Sequence, residues 1–394
     1  MRKLINLLSW PVVAVLLLFT VRRWLFAWVA LTAGRAAAAD SPPVLPEVLL
    51  LAPFRNEAAA LPELLAALAR LDYPASQLTV VFVDDGSGDG VGRLVGQYLD
   101  QRANWHLLSL PETVGKAGAL NAALACFPQG EIIAVYDADE RPHPDALRQL
   151  VAPFGNPAVG GVSGRRQISN LLASPAASYT TFEGLVHQQV TMRAKDWLNL
   201  APAILGSNCA YRRAALEQVG GFQPGALLED TDITLKLARG GWRLRFTPAA
   251  VSCHRAPESV AGYWQQHTRW ARGFNDVAAS QSGALWRNPS LPLPLRLELF
   301  AFALGYLDRL ALVAAGVLSL AGSRPARVAL LVSLLSPLGQ IAAALKIDGQ
   351  PAAVWLRLVW VPLFFAIDVA MALAGVWHTL ANSPRIWEER RLRR

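Results

Sequence analysis

Apolar residues recur along this chain in three rhythms, and each predicts a different kind of element. The first is continuous. Residues 4–21, "LINLLSWPVVAVLLLFTV", hold no charge for eighteen positions behind Arg2-Lys3. As a helix, a run of that length matches the hydrocarbon thickness of a bilayer. Arg22-Arg23-Trp24 follows like an interfacial stop, and no small-residue cleavage site comes promptly, which favours an anchor over a cleaved signal peptide. Residues 24–34 are short for a second span, and an interfacial helix is the alternative. From about 296 the chain is apolar again, over 297–321 (broken by Asp308-Arg309), 328–345, and 354–381 (with Arg357 and Asp368). The plain count is about three further spans. It would put the basic tail "ERRLRR" across the membrane from the middle of the chain, against the tendency of arginine and lysine to stay on the cytoplasmic side.

Between about 44 and 260 the rhythm alternates between short apolar runs and helical spacing. "EVLLLAPF" reads as a buried strand, "ALPELLAALARL" places Leu61, Leu64, Leu65, Leu68 and Leu71 on one helix face, and "LTVVFVDDG" reads as a second strand. Strand, helix, strand at this spacing is a βαβ unit with a parallel pair. A helix over 91–101, the strand "WHLLSL", a helix from Lys116, the strand "EIIAVYDAD" and a helix from Pro144 continue the pattern. The fold class is α/β, an open sheet that binds ligands beyond the carboxyl ends of its strands. The third rhythm is mixed: "YWQQHTRWARGF", 263–274, packs aromatics, arginines and amides together just before the chain turns apolar. The domains predicted are an anchor at 1–34, an Ala/Pro linker at 35–46, a catalytic domain at 47–260, an amphipathic interfacial segment at 261–290, a membrane domain at 291–383 and a basic tail at 384–394.

Composition agrees with a chain that lies partly in a bilayer. The 394 residues are 53% hydrophobic and only 17% charged, with a mean hydropathy of +0.29, too apolar for an ordinary soluble protein. A net charge of +8 raises nucleic acid as a partner, but the arginines flank apolar segments as in a membrane-surface protein. Cys126, Cys209 and Cys253 are widely spaced with no CxxC, so they read as reduced thiols of a cytoplasmic domain, with neither a zinc site nor a disulfide framework.

Polar residues at strand ends carry the candidate chemistry. Asp84-Asp85-Gly86-Ser87 ends the second strand, where turn chemistry explains it equally well. Asp137-Ala138-Asp139 ends the fourth, and carboxylates two positions apart can each reach a hard divalent cation that in turn holds a diphosphate. No G-x-G-x-x-G surrounds Gly86 to Gly92, and Gly115-Lys116 lacks the other residues of a Walker loop, so two nucleotide-binding classes fall away. Lys116 can still neutralise phosphate near a helix start, or be a solvated surface lysine. Glu229-Asp230 opens a helix that Gly240-Gly241 closes; capping is the ordinary reading, and a general base is the functional one.

Taken in order, "APFRNE", "VDDGS", "GKAGALN", "DAD", "LLED" and "QHTRW", with a membrane domain after the last, resemble the family 2 glycosyltransferases of the membrane-embedded, processive type, such as cellulose, hyaluronan, chitin and poly-N-acetylglucosamine synthases. The resemblance covers roughly 45 to 275 and implies a GT-A, Rossmann-like sheet, an inverting transfer from a nucleotide-sugar, commonly a UDP-sugar, and Mg2+ or Mn2+ as cofactor. It implies that Glu57, Asp85, Lys116 and Asp137 bind the donor, that Asp139 with Asp137 meets the metal, and that Asp230 is the base beside Glu229. It also implies that Gln266, Arg269 and Trp270 cap the site from a helix at the membrane surface, and that Gly206, Ser207 and Asn208 meet the acceptor. A lipid or growing glycan would be that acceptor, the catalytic domain would face the cytoplasm, and an accessory membrane subunit is a possible partner. Some residues depart from the polymer synthases: Ile204-Leu205 stand where aromatics grip the nascent chain, Leu228 replaces a threonine, and Arg55 replaces an aromatic. These departures put processivity in doubt and keep a non-processive lipid glycosyltransferase in view. A transporter or scaffold that binds nucleotide without catalysis would use Asp308, Arg309 and Asp368 as path residues but would not need Asp230 or the Gln266-Arg269-Trp270 cap. A sugar-nucleotide pyrophosphorylase would share the sheet but not need the membrane segments.

Overall fold

The computed structural model describes residues 2–32, 45–99 and 102–381. Eight strands, β1 (Val48–Phe54), β2 (Leu78–Asp84), β3 (Trp105–Ser109), β4 (Ile132–Val135), β5 (Arg141–Pro142), β6 (Val159–Ile168), β7 (Cys209–Arg212) and β8 (Arg243–His254), form one sheet. Their order is β3-β2-β1-β4-β7-β6-β8-β5. The four strands read from the sequence are parallel neighbours, with β1 between β2 and β4. β7 runs antiparallel to both β4 and β6 and so breaks the parallel half from the rest. Every residue of β1 is buried, because Val48, Leu50, Ala52 and Phe54 enter one core while Leu49 and Leu51 enter the other. A strand covered on both faces loses its alternation, which is why it reads as an unbroken apolar run. The helix Leu61–Leu68 buries Leu61, Leu64, Leu65 and Leu68 on the first face, as its spacing predicts, and Leu71 packs against the same cluster just past its end.

Parallel register sets the site. Phe54 lies beside Asp84 and Leu51 beside Val135, so the loops after β1, β2 and β4 emerge at one edge of the sheet.

The membrane part differs from the sequence expectation in two places. Residues 24–34 do not begin a separate interfacial helix: a single helix, Arg2–Thr32, runs through Arg22-Arg23 without a break. The arginines do not stop it because both are neutralised inside the protein. Arg22 makes two 2.7 Å bonds to Glu298, and Arg23 pairs with Asp308. The stretch 297–321 is likewise not one straight span. Leu293–Ala303 and Leu307–Leu320 meet at 71°, beside Gly305. Among the described residues three helical segments, Ile5–Thr32, Arg324–Asp348 and Ala352–Leu380, are long and apolar enough to cross a membrane, or four if the bent pair counts as one.

Asp308, Arg309 and Asp368 have an internal use. Arg309 lies 2.8 Å from Asp308 and 2.9 Å from Asp368, and both carboxylates are buried. Charges at membrane depth are tolerated when they pair with one another. With the Arg23–Asp308 pair they join three helices, and each of the three residues that the transporter reading would use along a path has an oppositely charged partner.

Candidate functional site

At the carboxyl edge of the sheet, the residue that gathers the others is Lys116. Its helix, Gly115–Cys126, starts beneath the loop after β3, and Asp85 fixes that start: the Asp85 carboxylate accepts from the Thr113 hydroxyl at 2.7 Å and from the backbone N–H of Val114 and Gly115 at 2.7 and 3.0 Å. Thus placed, the Lys116 ammonium lies 2.7 Å from Asp137, 3.0 Å from Glu229 and 2.7 Å from the Gly206 carbonyl oxygen. Burial alone would lower its pKa, but the two carboxylates outweigh it and hold the amine protonated, above the ordinary lysine range. A surface lysine this is not.

Gly206 is forced at its position. A Cβ there would sit 3.0 Å from both the Glu229 carboxylate and the Lys116 ammonium, so a side chain would press both groups aside by a few tenths of an ångström. Its N–H donates to Asp230 at 3.1 Å, and the other Asp230 oxygen accepts from the Thr231 N–H at 2.6 Å. Burial and the adjacent Glu229 push the Asp230 pKa up to about 6, against the pull of Lys116. A carboxyl poised near neutrality, at a helix N-terminus and next to a fixed cation, is suited to taking a proton.

Ser207 and Asn208 turn inward. The Ser207 hydroxyl accepts from the Asp137 N–H at 2.7 Å, and the Asn208 carboxamide donates to the Arg165 and Ala250 carbonyl oxygens at 2.9 and 2.8 Å. Both are wholly buried, so of the three expected acceptor contacts only Gly206 lines the site, through its backbone. Their task is to hold β4, β6 and β8 in register beneath it. Glu57 lies exposed on the loop after β1, which is tied to the loop after β2 by the Asn56 N–H bond to Ser87 and the Gly88 N–H bond to Asn56.

Asp139 follows two positions after Asp137. Burial and the Asp137 charge raise its pKa, partly offset by Arg166. Two carboxylates that repel each other are the donor set that a hard divalent cation relieves. Among the described residues no three His, Cys, Asp or Glu side chains converge to hold an ion by themselves, so a cation at Asp137 and Asp139 would need oxygens from a bound diphosphate as well. Sequence reasoning passed over His254, the last residue of β8. Its Nδ1 has no hydrogen-bond partner among the described residues and lies 4.0 Å from Glu140, and burial with Arg166 and Arg141 lowers its pKa to about 3, leaving a neutral ring. A lone histidine at a strand end gave no signal.

The helix Val260–Trp286 carries Gln266, Arg269 and Trp270, and Ser259 caps it by accepting from the Gly262 N–H. Leu228 packs against Gly273 of this helix, and the Arg269 guanidinium lies 3.5 Å from the Leu227 carbonyl oxygen, so the helix lies over the turn that leads into Glu229-Asp230. The Gln266 carbonyl oxygen is buried with no partner among the described residues. Trp270 packs on His267, ring centroids 4.6 Å apart.

Known proteins share this arrangement. A family profile described as "Glycosyl transferase family group 2" matches residues 132–381. "Probable glycosyltransferase YdaM" of Bacillus subtilis is 33% identical over 58% of this chain and 55% of its own length. "Beta-monoglucosyldiacylglycerol synthase" of Trichormus variabilis is 30% identical over 68% of this chain and 58% of its own. The chain thus spans somewhat over half the length of these curated relatives. Among solved structures, a mannosyltransferase from Pyrobaculum calidifontis in complex with GDP-Man and Mn2+ superposes with a TM-score of 0.68 and 26% identity, over 95% of this chain and 99% of that one. The sheet is therefore a GT-A-like sheet with flanking helices, and the family match extends through the Asp137, Asp230 and Arg269 segments into the apolar C-terminal helices. This chain belongs to glycosyl transferase family group 2.

Proposed function

We propose that this protein is a membrane-bound inverting glycosyltransferase that moves a hexose or N-acetylhexosamine from a nucleotide-sugar to an acceptor hydroxyl. The observation that carries the reading is a continuous set of contacts in which Lys116 meets Asp137, Glu229 and the Gly206 carbonyl oxygen, while the Gly206 N–H donates to Asp230. In the reaction, the acceptor oxygen attacks the anomeric carbon and its proton passes to Asp230. The bond between that carbon and the diphosphate oxygen breaks, and the nucleoside diphosphate leaves with the electron pair. One direct displacement on an α-linked donor gives a β-linked product. Lys116 and Arg269 offset charge on the departing diphosphate, and Trp270 offers a face for a sugar ring. A divalent cation, Mg2+ or Mn2+, held by Asp139 with Asp137, would add positive charge at the same diphosphate.

Asp85, Glu57 and Asp137 are assigned to the donor's nucleoside. Asp85 already receives three hydrogen bonds from the protein, and a carboxylate has about four acceptor positions, so a nucleobase contact there would be a single one. The Pyrobaculum neighbour was solved with GDP-Man, so both uridine and guanosine donors belong in any trial.

Two acceptors fit. The order of motifs favours a growing polysaccharide. A lipid hydroxyl is favoured by Ile204, a buried aliphatic side chain where a chain-gripping aromatic would serve a polymer, and by the likeness to a glycolipid synthase. Membranes carrying the protein, given a panel of radiolabelled nucleotide-sugars with Mg2+ or Mn2+, separate the two. Label in a large glycosidase-sensitive product means a polymer, and label in the organic phase means a glycolipid. No difference from an Asp230→Asn control on any donor sinks the enzyme reading.

A further inference from the structure

His267, inside the "QHTRW" stretch, has an acceptor at each ring nitrogen. The Tyr263 carbonyl oxygen lies 3.0 Å from Nδ1, and the Glu183 carboxylate lies 3.0 Å from Nε2. A carbonyl oxygen can only accept, and so can an ionised carboxylate, so filling both contacts takes a proton on each nitrogen. The Tyr263 hydroxyl donates to the same Glu183 oxygen at 3.1 Å, which concentrates two donors on it. The ring is 3% exposed, stacked on Tyr263 at 3.9 Å and set against Trp270 at 4.6 Å.

We propose that His267 is a cationic positioning residue: as an imidazolium paired with Glu183, it pins the helix that carries Arg269 and Trp270 to the helix Pro175–Leu185 at the membrane surface. The function it serves rests on the glycosyltransferase reading above. A neutral ring could keep one of the two contacts but not both, and Trp270, which leans on that ring, would lose its fixed backing. Glu183 from the helix Pro175–Leu185, the Tyr263 carbonyl oxygen from its own helix and Asp368 from the helix Val361–Leu380, where Arg309 is its partner, each favour the charged ring. Burial works against the charged ring, but Glu183 outweighs it, and the pKa of His267 stands above the ordinary histidine value. The sign follows from linkage. The pair is complete below about 6.5 and is lost as pH rises through the higher folded value. A cap that loosens in mild alkali is the consequence.

The test uses the full chain in nanodiscs. With 15N-histidine labelling, the signal that disappears in His267→Gln should show both ring nitrogens protonated at pH 7.0; a neutral tautomer there overturns the proposal. If His267→Gln does not accumulate as folded protein, Glu183→Gln should move the same signal toward a neutral ring, and an unmoved signal counts against the pair. In transfer assays, His267→Gln and Glu183→Gln should each lower kcat by ~10- to 100-fold, the scale of a misplaced positioning group, with little change in KM for the nucleotide-sugar. The double variant should lose no more than either alone, because both remove one interaction. Losses that multiply, or a kcat and alkaline pH profile that match wild type, overturn it. Wild-type protein inactive on every donor would sink the glycosyltransferase reading but leave the protonation measurement standing.

Discussion

A base must be ionised to act, and Asp230 is set to ionise at the edge of the physiological range. With its pKa pushed up to about 6, the carboxyl is protonated and useless below that pH and available above it, so transfer should rise with pH through about 6. An initial-rate profile at saturating donor checks this; a rate that is flat from pH 5 to 7 removes Asp230 as the base. Asp230→Asn should cost ~10²- to 10⁴-fold in kcat, the usual worth of a general base, while donor affinity holds. Gly206→Ala should lower kcat by a smaller factor while removing no side chain of the site, because its methyl would sit 3.0 Å from both the Lys116 ammonium and Glu229 and push on them. Circular dichroism unchanged from wild type, beside a lowered kcat, is the expected pair of results. Chelation should abolish transfer, and Mg2+ or Mn2+ should restore it in wild type but not in Asp139→Asn; full activity in excess EDTA would remove the cation from the account. Of these residues, Asp137 and Asp139 stood out because they end an apolar run, whereas Asp230 read as an ordinary helix cap until the order of the motifs suggested a base. The part played by Lys116 was only half legible, since no sequence spacing says that its ammonium meets a carbonyl oxygen ninety positions onward.

Strands and helices were legible in proportion to how apolar and how local they are. β1, β2, β3 and β4 are apolar runs bounded by turns, and each was readable. β6 was not, because Gly160, Gly161 and Gly164 and the arginine pair at 165–166 break the run; β7 is four residues long, too short to leave a pattern. The helix at Glu229 was read with its closing glycines, and it ends with Gly240 as its cap. The bend inside 297–321 was hidden for another reason: hydropathy averages over a window and cannot register the 71° turn within it. Ion pairs fix these membrane helices to one another, and that can be measured. Glu298 takes Arg22 at 2.7 Å and Lys195 at 3.2 Å, and all three are largely enclosed. Glu298→Ala would leave two cations uncompensated and should cost about 3–5 kcal/mol, the penalty for breaking a buried pair. Thermal unfolding in detergent should show it, and an unchanged midpoint would mean that the pair contributes nothing net.

The protein as a whole joins a GT-A-like sheet to a set of helices of which three, among the described residues, are long and apolar enough to cross a membrane, and the proposed chemistry has a preferred side. Nucleotide-sugars are made in the cytoplasm, so the sheet should face it. Cys126 reports on this, being exposed at the end of the helix that carries Lys116, whereas Cys209 is buried. A membrane-impermeant maleimide should label Cys126 in inside-out vesicles and not in intact cells; the reverse pattern would overturn the orientation. One feature of the membrane part also bears on how the protein is made. Arg22 and Arg23 are synthesised well before their partners, since Glu298 and Asp308 come 276 and 285 positions later. At ~5–20 residues per second, those partners follow after roughly 15–60 seconds of translation. For that interval the helix Arg2–Thr32 carries two unanswered charges, so it reaches its final packing only after the chain has been made past Asp308.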